Sequence, residues 1–382
     1  MRSEFLHFAP PLIGDEEIEE VVKTLRSGWI TTGERAHRFE AEFTDLVGAP
    51  AALALSSGTA AMHVALAALG VGEGDAVVTT TMTFASTVHV IEHVRARPVL
   101  VDVQQDTLNI DPDQVEAAVK REKNVKAIMP VHLYGHPAEM DAINDIAHRH
   151  GLAVVEDAAH ALPARYRGRS IGSGSNLVAF SFYATKNLTT GEGGMLTGPP
   201  ELVDSARTWS LHGMSRDAFR RYTSDGSWRY DVVLPGFKYN MPDITAAIGL
   251  HQLRRLDSMQ ARRRAIVAQY DEAFGGLEEL ETPVARPEVE SAWHIYLLRL
   301  RRGNRDELIE ELKRRNIGTS VHFIPIHAHS YYRDRYGLRP DQFPVAQREF
   351  ERMLSLPLSP AHSDADVADV IEAVTDIVES GR

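Results

Sequence analysis

One lysine stands apart from the other basic residues of this 382-residue chain. The chain has 41 basic residues, of which only seven are lysines, and Lys186 is the sole lysine between Lys126 and Lys238. Lysine can lose its proton and form an imine with a carbonyl compound, which arginine does not do. Lys186 is therefore a candidate for imine formation. The ordinary alternative is that Lys186 is a solvated lysine in a loop, because most lysines are exposed.

Asp157 is the second candidate, and it closes the apolar run LAVVED. The run predicts a buried strand, and an ionised carboxylate at its carboxyl end needs a cationic partner. The protonated ring nitrogen of a bound cofactor would be such a partner, because the protonated ring accepts the electron pair of a broken C–H bond. The residues alone leave two other roles open, which are capping the next helix and binding a metal.

Other side chains could hold the remaining parts of such a cofactor. Ser57, Gly58 and Thr59 lie where a predicted strand turns into a predicted helix, so their backbone N–H groups could bind a phosphate. Ser181, at the end of another apolar strand, could add a hydroxyl hydrogen bond, and Phe84 in TTTMTFAST could stack on a flat ring. Helix capping and core packing are the structural alternatives for these residues.

These residues are carried by segments that alternate between strand-like and helix-like patterns, such as AVVTTT before FASTVHVIEHV and RPVLVDV before DPDQVEAAVK. Such alternation predicts an α/β fold with a buried, largely parallel sheet, which binds ligands at the carboxyl ends of its strands. Two amphipathic helices precede it, at about residues 15–27 and 35–47, and each ends before a glycine.

The chain divides into two predicted domains. Residues 1–250 form a large domain with the candidate site and an N-terminal pocket segment, and residues 251–382 form a smaller α+β domain. The segment PDITAAIGLHQLRRLDSMQARRRAIVAQYDEAF predicts one or two long helices at the boundary, and the last helix is expected near Asp364 to Val378.

Composition excludes several classes of function. The net charge of −12 and the lack of a basic run argue against nucleic acid or an anionic membrane as a partner. The chain has no cysteine, so disulfides, thiolate nucleophiles and Cys-ligated zinc are excluded, and we expect no metal in the site. Neither a signal peptide nor a membrane span is evident, and a cytoplasmic location is expected.

Four segments give the chain a family resemblance, namely SSGTAAMH, VEDAAHA, FSFYATKNLTTGEGGM and FKYNMPDITAAIGLHQL. They resemble the DegT/DnrJ/EryC1/StrS sugar aminotransferases, and the resemblance runs from SGWITTG at residues 27–33 to GTSVHFIPIH at residues 318–327. It implies the fold-type I architecture of pyridoxal 5'-phosphate (PLP) enzymes, with a mostly parallel seven-stranded sheet, flanking helices, a smaller C-terminal α+β domain and an obligate homodimer.

The resemblance also implies roles for individual residues. Lys186 is similar to the Schiff-base lysine, Asp157 to the partner of the pyridinium nitrogen and Phe84 to the stacking residue. The implied phosphate contacts are Ser57, Gly58, Thr59 and Ser181. His160 would lie near the cofactor's O3'.

Asn240 resembles a residue that reaches the phosphate of the neighbouring subunit. Capping the helix that begins near Pro242 is the alternative for Asn240. The implied substrate contacts are Trp29, Thr31, Tyr183, His322 and His327, with anchoring and packing as alternatives for Trp29 and the histidines.

The reaction implied is transfer of the amino group of L-glutamate, which leaves as 2-oxoglutarate, to a nucleotide-linked keto sugar. The N-terminal stretch and the segments VHLYGHPAEMDAI and GFKYNMPDI look most like enzymes that aminate C4. The expected acceptor is dTDP-4-keto-6-deoxy-D-glucose in deoxysugar or antibiotic biosynthesis, and the alternatives are a UDP-4-keto-pentose and a 3-keto sugar. A dehydrating branch carries His where this chain has Lys186, and a non-catalytic PLP-binding regulator is the rival from another class.

Overall fold

The computed structural model of the chain describes residues 2–214 and 230–381. Its helices, in chain order, are α1 (Asp15–Ser27), α2 (Glu34–Val47), α3 (Gly58–Ala68), α4 (Ala85–His93), α5 (Pro112–Arg121), α6 (Met140–His150), α7 (Pro200–Ser210), α8 (Asp243–Phe274), α9 (Arg305–Arg314), α10 (Ser330–Tyr336), α11 (Pro344–Arg352) and α12 (Asp364–Glu379). Its strands are β1 (Ala52–Leu55), β2 (Ala76–Thr80), β3 (Arg97–Val101), β4 (Val125–Met129), β5 (Ala153–Asp157), β6 (Arg165–Tyr166), β7 (Arg169–Ser170), β8 (Leu177–Ser181), β9 (Gly194–Thr197), β10 (Leu280–Glu281), β11 (Val289–Glu290), β12 (Tyr296–Leu300) and β13 (Met353–Leu356).

A seven-stranded sheet in the order β1-β9-β8-β5-β4-β2-β3 forms the centre of the large domain. Strand β9 is antiparallel to both of its neighbours, and the other strands are parallel to one another. The expected mostly parallel sheet is therefore confirmed. Its inner strands are apolar without alternation because helices cover both faces.

Two apolar cores lie on opposite faces of this sheet. One contains residues of α3, α4 and α7, including Met62, Ile91 and Val203. The other contains residues of α2, α5, α6 and the start of α8, including Phe39 and Ile143. The sheet is thus held between two helical layers, which leaves its strand ends as the place for a binding site.

Helix α1 has its apolar stripe on the outside. The helix ends as predicted at Gly28, whose φ of 75° suits glycine. Ile18, Val22 and Leu25 are exposed, whereas Glu17 and Thr24 are buried against the body of the domain. A helix usually buries its apolar stripe, so the outward stripe is a surface suited to another protein chain.

Helix α2 receives its N-terminal cap from a distant part of the chain. Its own capping residue, Gly33, has no side chain to offer. The carboxylate of Asp243, the first residue of α8, accepts hydrogen bonds from the backbone N–H groups of Gly33 at 2.8 Å, Arg35 at 3.2 Å and Ala36 at 3.0 Å. One side chain thereby fixes the N-terminal segment against α8.

The long segment after Asn240 forms a single helix, α8, with 32 residues and a length of about 48 Å. It runs continuously through residue 250, so the division into residues 1–250 and 251–382 remains a prediction. The last turns of α8 pack on a three-stranded antiparallel sheet, β10-β12-β13, together with α9 and α12. A second small sheet, β11-β6-β7, joins a hairpin of the large domain to a strand that follows α8.

The predicted C-terminal helix is confirmed, with α12 spanning Asp364–Glu379. In the part of the chain that the structure describes, none of the helices has the length and apolarity needed to cross a membrane.

Candidate active site

The candidate residues gather at one edge of the large sheet. Asp157 is the last residue of β5 and Ser181 the last residue of β8. Ser57 follows β1, and Phe84 follows β2. Because these strands are parallel, their carboxyl ends meet at the same edge, and this is the edge at which such sheets bind ligands.

Lys186 lies in the loop between β8 and β9, and its backbone N–H donates to the carbonyl of Tyr183 at 2.9 Å. Burial lowers the pKa of Lys186 to about 8, since the site disfavours the ammonium form, and the carboxylate of Asp157 acts in the opposite direction. The positive charge of Lys186 also lowers the pKa of His160 and of His322. The lysine is therefore close to both histidines and to Asp157, and its amine is more easily deprotonated than an exposed one.

Asp157 is only 4% exposed. Its Oδ2 accepts a hydrogen bond from the Thr87 hydroxyl at 2.8 Å, and its Oδ1 accepts one from the Ala159 N–H at 3.1 Å. Burial raises the pKa of this carboxyl, whereas the hydrogen bonds and the charge of Lys186 lower it. Within residues 2–214 and 230–381, no group of three or more His, Asp or Glu residues is placed to hold a metal ion.

The loop after β1 combines a cap with a crowded backbone. Ser57 caps α3, and its hydroxyl accepts the Ala60 N–H at 3.0 Å, so the structural alternative holds for that side chain. A Cβ added at Gly58 would lie 2.9 Å from Cβ of Ser181, and one added at Gly194 would lie 2.4 Å from the carbonyl carbon of Ser57.

This crowding brings the starts of α3 and β9 together with the end of β8, and it requires glycine where the backbones meet. The repeated glycines of GEGGM are a signal for Gly194, but its contact with the β1 loop was not predicted. Thr59, in the first turn of α3, is exposed.

Phe84 occupies the position just before α4. It is 60% exposed, which is unusual for phenylalanine, and its ring centre lies 5.8 Å from that of Phe323. An exposed ring at the mouth of a polar site is suited to stacking on a flat ligand.

His160 and His294 form a pair of rings whose centres lie 4.4 Å apart and whose planes are tilted by 45°. The backbone N–H of Tyr134 donates to His160 Nδ1 at 3.2 Å, so the neutral ring of His160 carries its proton on Nε2. Burial holds the pKa of both histidines well below the usual value. His160 is thus a neutral donor at the lysine site.

His294 connects the segment between β11 and β12 to the lysine loop, and sequence reasoning missed it. Its Nδ1 lies 3.1 Å from the side-chain oxygen of Asn187, the residue next to Lys186. The Asn187 amide donates to the carbonyl of Ala292 at 2.7 Å, which leaves its oxygen to accept from His294. The segment WHIY in the sequence contained the residue, but nothing in its spacing indicated this partner.

Three predicted substrate contacts are exposed side chains and define the mouth of the site, namely Trp29, Thr31 and Tyr183. Trp29 is 46% exposed, and its indole N–H donates to the carbonyl of Thr32 at 3.1 Å. Thr31 and Tyr183 are also exposed. The indole bond shows that Trp29 anchors its own segment, which was the alternative to substrate contact, while its exposed face remains open.

The two other predicted substrate contacts differ in their surroundings. His322 Nδ1 lies 2.8 Å from the Ser355 hydroxyl, and burial together with the charge of Lys186 lowers the His322 pKa to about 4. His327 is 1% exposed, and its two ring nitrogens lie 2.8 Å from the Thr81 hydroxyl and 3.0 Å from the Gln347 side-chain oxygen. This geometry favours a packing role for His327.

Asn240 does not cap α8, because Pro242 occupies the capping position. Its side-chain oxygen accepts from the Lys238 ammonium at 2.5 Å, and its amide donates to the Thr32 hydroxyl at 2.6 Å. Its backbone pairs with that of Leu55, at the end of β1. Asn240 is therefore held next to the end of β1 by contacts within its own chain.

These residues fit PLP. An amine with a lowered pKa, a buried carboxylate, an exposed ring and two crowded glycines beside a helix N-terminus match the aldehyde, the ring nitrogen, the ring face and the phosphate of that cofactor.

Comparison with known proteins agrees with this fit. Residues 11–375 match the DegT/DnrJ/EryC1/StrS aminotransferase family. The spore coat polysaccharide biosynthesis protein SpsC of Bacillus subtilis is 52% identical over 384 residues, covering 99% of this chain and 98% of the relative. An uncharacterized protein of Methanocaldococcus jannaschii is 48% identical over 387 residues, with 100% of both chains covered.

Solved structures similar to this chain also include sugar aminotransferases. A putative sugar aminotransferase from Streptococcus pneumoniae in its PMP form superposes with a TM-score of 0.93 at 36% identity, covering 98% of this chain and 99% of that one. DesV from S. venezuelae, in complex with a ketimine intermediate, superposes with a TM-score of 0.87 at 36% identity, covering 95% and 94%. The chain belongs to the DegT/DnrJ/EryC1/StrS aminotransferase family and is a PLP-dependent sugar aminotransferase.

Proposed function

We propose that this enzyme transfers the amino group of L-glutamate to the C4 carbonyl of a nucleotide-linked 4-keto sugar, with dTDP-4-keto-6-deoxy-D-glucose as the acceptor. The observation that carries the proposal is the pairing of Lys186, whose pKa is lowered to about 8, with the buried carboxylate of Asp157. Bound PLP supplies a carbonyl that carries the amino group and a protonated ring that accepts the electron pair of the broken C–H bond.

Lys186 is the residue that holds PLP and moves the proton. In the glutamate half-reaction its amine would take the proton from the carbon that bears the amino group and deliver it to the cofactor carbon that receives that group. In the sugar half-reaction it would take the proton from that cofactor carbon and deliver it to the former carbonyl carbon of the sugar. A pKa of about 8 leaves part of the amine neutral near pH 7, which a general base requires.

Asp157 and His160 hold the ring. The Asp157 carboxylate binds the protonated ring nitrogen, and the Nε2–H of His160 donates to the ring's O3'. Support comes from the hydrogen bonds that already orient these groups: each Asp157 oxygen accepts one and can accept another, and Nδ1 of His160 accepts one, which leaves the Nε2–H to donate.

The phosphate is bound at the start of α3, by Ser57, Gly58, Thr59 and Ser181, with Asn240 contributed by the partner subunit of a homodimer. Support for the phosphate site comes from the close approach of the backbones at Gly58 and the helix N-terminus. Support for the dimer comes from the exposed apolar stripe of α1.

The mouth recognises the sugar nucleotide through Trp29, Thr31, Tyr183 and His322. An exposed indole and an exposed phenol suit a sugar ring or a nucleotide base, and the phenol belongs to Tyr183, whose carbonyl accepts from the Lys186 N–H. The relative named for spore coat polysaccharide biosynthesis also supports an activated sugar, because polysaccharides are built from such precursors.

A half-reaction with a panel of acceptors tests the proposal. The protein is converted with L-glutamate to its pyridoxamine form, freed of donor, and mixed with 3-keto and 4-keto sugars linked to dTDP, UDP or GDP. Return of the cofactor's original visible absorbance with dTDP-4-keto-6-deoxy-D-glucose, with the amino sugar detected by mass spectrometry, supports the proposal. Return only with a UDP-4-keto-pentose or a 3-keto sugar replaces the acceptor, and return with none overturns the proposed function.

A further inference from the structure

Two buried threonine hydroxyls form a chain that ends on Asp157. Oγ1 of Thr83 lies 2.7 Å from Oγ1 of Thr87, and Thr87 Oγ1 lies 2.8 Å from Asp157 Oδ2. Thr83 lies just before Phe84, the capping residue of α4, and Thr87 lies in the first turn of that helix. Both are almost completely inaccessible to solvent, so water does not replace either hydroxyl.

The chain departs from the usual behaviour of threonine in helices. A helical threonine commonly donates to the backbone carbonyl four residues earlier. Thr24, Thr44 and Thr208 do so in this protein, donating to the carbonyls of the residues four positions before them at 2.7, 2.7 and 3.3 Å. Thr87 instead bonds the side chain of Thr83 and the carboxylate of Asp157, so its hydroxyl serves the carboxylate and not its own helix.

The direction of the hydrogen bonds follows from the charge of Asp157. An ionised carboxylate only accepts, so the single hydroxyl proton of Thr87 is directed at Asp157. Thr87 can then only accept from Thr83, which makes Thr83 the donor of the pair. Each bond in such a chain polarises the next, and a hydrogen bond to a charged acceptor is stronger than one between neutral groups.

We propose that Thr83 and Thr87 are positioning residues that keep Asp157 ionised and aimed at the cofactor's ring nitrogen. The inference rests on the role proposed above for Asp157. Burial favours the protonated carboxyl, and the hydroxyl chain opposes that tendency. An ionised Asp157 keeps the proton on the ring nitrogen, which is what lets the ring accept an electron pair.

The same helix start therefore acts on the cofactor in two ways. Phe84, between the two threonines, presents an exposed ring at the mouth, while Thr83 and Thr87 act from inside through Asp157.

The test compares Thr87→Val, which removes the hydroxyl at nearly constant volume, with Thr87→Ser, which keeps it. In the glutamate half-reaction, Thr87→Val should lower the rate at pH 7 by about tenfold to a hundredfold, the range expected for a lost hydrogen bond to a charged group. The acidic limb of its pH profile should move to higher pH, because Asp157 now protonates more easily. Thr87→Ser should restore both. Thr83→Val should shift the limb in the same direction by less.

Readouts other than activity separate positioning from packing. The pH titration of the visible absorbance of bound PLP should shift in Thr87→Val, and the dissociation constant for PLP should rise. With a cofactor analogue that has carbon in place of the ring nitrogen, wild type and Thr87→Val should bind equally well. The matched control is Thr24→Val, since Thr24 is equally buried in a helix but bonds only a backbone carbonyl, and it should leave every profile unchanged.

The outcomes are distinguishable from those of the proposed function. If Asp157→Asn slows the half-reaction while folded Thr87→Val keeps the wild-type pH profile, the hydroxyl chain has no role and the inference is overturned. If Asp157→Asn has no effect either, the proposed role of Asp157 fails with it. If Thr87→Val does not fold, Thr83→Val takes its place in the test, because it leaves the Thr87 hydroxyl bonded to Asp157. An unchanged pH profile in Thr83→Val then overturns the inference.

Discussion

The inner wall of the site and its mouth are built in opposite ways. The inner wall consists of Asp157, Thr87, His160, His294 and Asn187, and its side chains are buried and hydrogen-bonded within one chain. The mouth consists of Trp29, Thr31 and Tyr183, and its side chains are exposed. Groups that are held in place before a ligand arrives suit chemistry that every substrate undergoes. Exposed groups suit contacts that change from one substrate to the next.

The chemistry shared by all substrates and the recognition of one particular sugar should therefore depend on different parts of the site. Substitutions in the inner wall should slow the glutamate and sugar half-reactions alike, whereas substitutions in the mouth should affect the sugar half-reaction alone. The following changes test that division.

Replacing Lys186 should have the largest effect. Lys186→Ala removes the amine that moves the proton, and turnover should fall on the order of 10⁴-fold or more in both half-reactions. Lys186→Arg keeps the positive charge without the ability to form an imine, and it should be as inactive. Lys126→Ala is the control, because Lys126 lies on the surface and donates to the carbonyl of Gly70. Wild-type turnover in Lys186→Ala would refute the proposed chemistry.

Asp157→Asn should come next, with a loss on the order of 10²–10³-fold at nearly constant side-chain volume. The amide cannot hold a proton on the ring nitrogen, so both half-reactions should slow by similar factors in single-turnover measurements. A loss restricted to the sugar half-reaction would mean that Asp157 belongs functionally to the mouth.

The double variant Ile18→Lys and Leu25→Lys should separate the subunits. Two charges on the apolar stripe of α1 should convert a dimer into monomers in sedimentation experiments, and PLP should bind on the order of tenfold or more weakly because Asn240 of the partner is lost. Lys23→Glu, at an exposed position on another face of the same helix, is the control. A dimer that persists would show that the stripe has another partner.

Burial of Lys186 should also cost stability in the apoprotein. Its pKa is about 8 in the fold against an ordinary 10.5, so the cost is fully present below pH 8 and disappears as the pH rises toward 10.5. Lys186→Met should therefore be more stable than wild type by about 2 kcal/mol at pH 7, and the gain should shrink above pH 8. Denaturant unfolding at pH 7 and pH 10 measures it, and a gain that grows with pH would contradict the assignment.

Trp29→Ala should have the smallest effect and the most selective one. Loss of an aromatic contact is expected to raise KM for the sugar nucleotide about tenfold, while the glutamate half-reaction keeps its rate. Trp29→Phe, which keeps a ring, should recover most of the affinity. Equal slowing of both half-reactions would place Trp29 in the structural support of the site.

The sequence predicts the main features of the site because parallel strands bring their ends together. Once LAVVED and VAFSF are recognised as strands, Asp157 and Ser181 must lie at one edge. Helix ends at Gly28 and Gly48 were also predictable, since glycine is favoured in the left-handed conformation that follows a helix.

The supporting contacts were not predictable, because they join residues far apart in the chain. Thr87 and Asp157 are separated by 70 positions, and Asn187 and His294 by 107. Neither pair has a fixed spacing that a pattern could detect. The amphipathic pattern of α1 predicted a helix, yet only tertiary packing decides that its apolar stripe faces outward.

The cap of α2 has a consequence for how the chain is made. Gly33 and Asp243 are 210 positions apart, so during synthesis the first turn of α2 exists before its capping carboxylate does. At about 5–20 residues per second, roughly 10–40 seconds of translation separate the two. The N-terminal segment that carries Trp29 can take its final place only after the start of α8 has left the ribosome, and the mouth of the site is therefore among the last parts of the large domain to form.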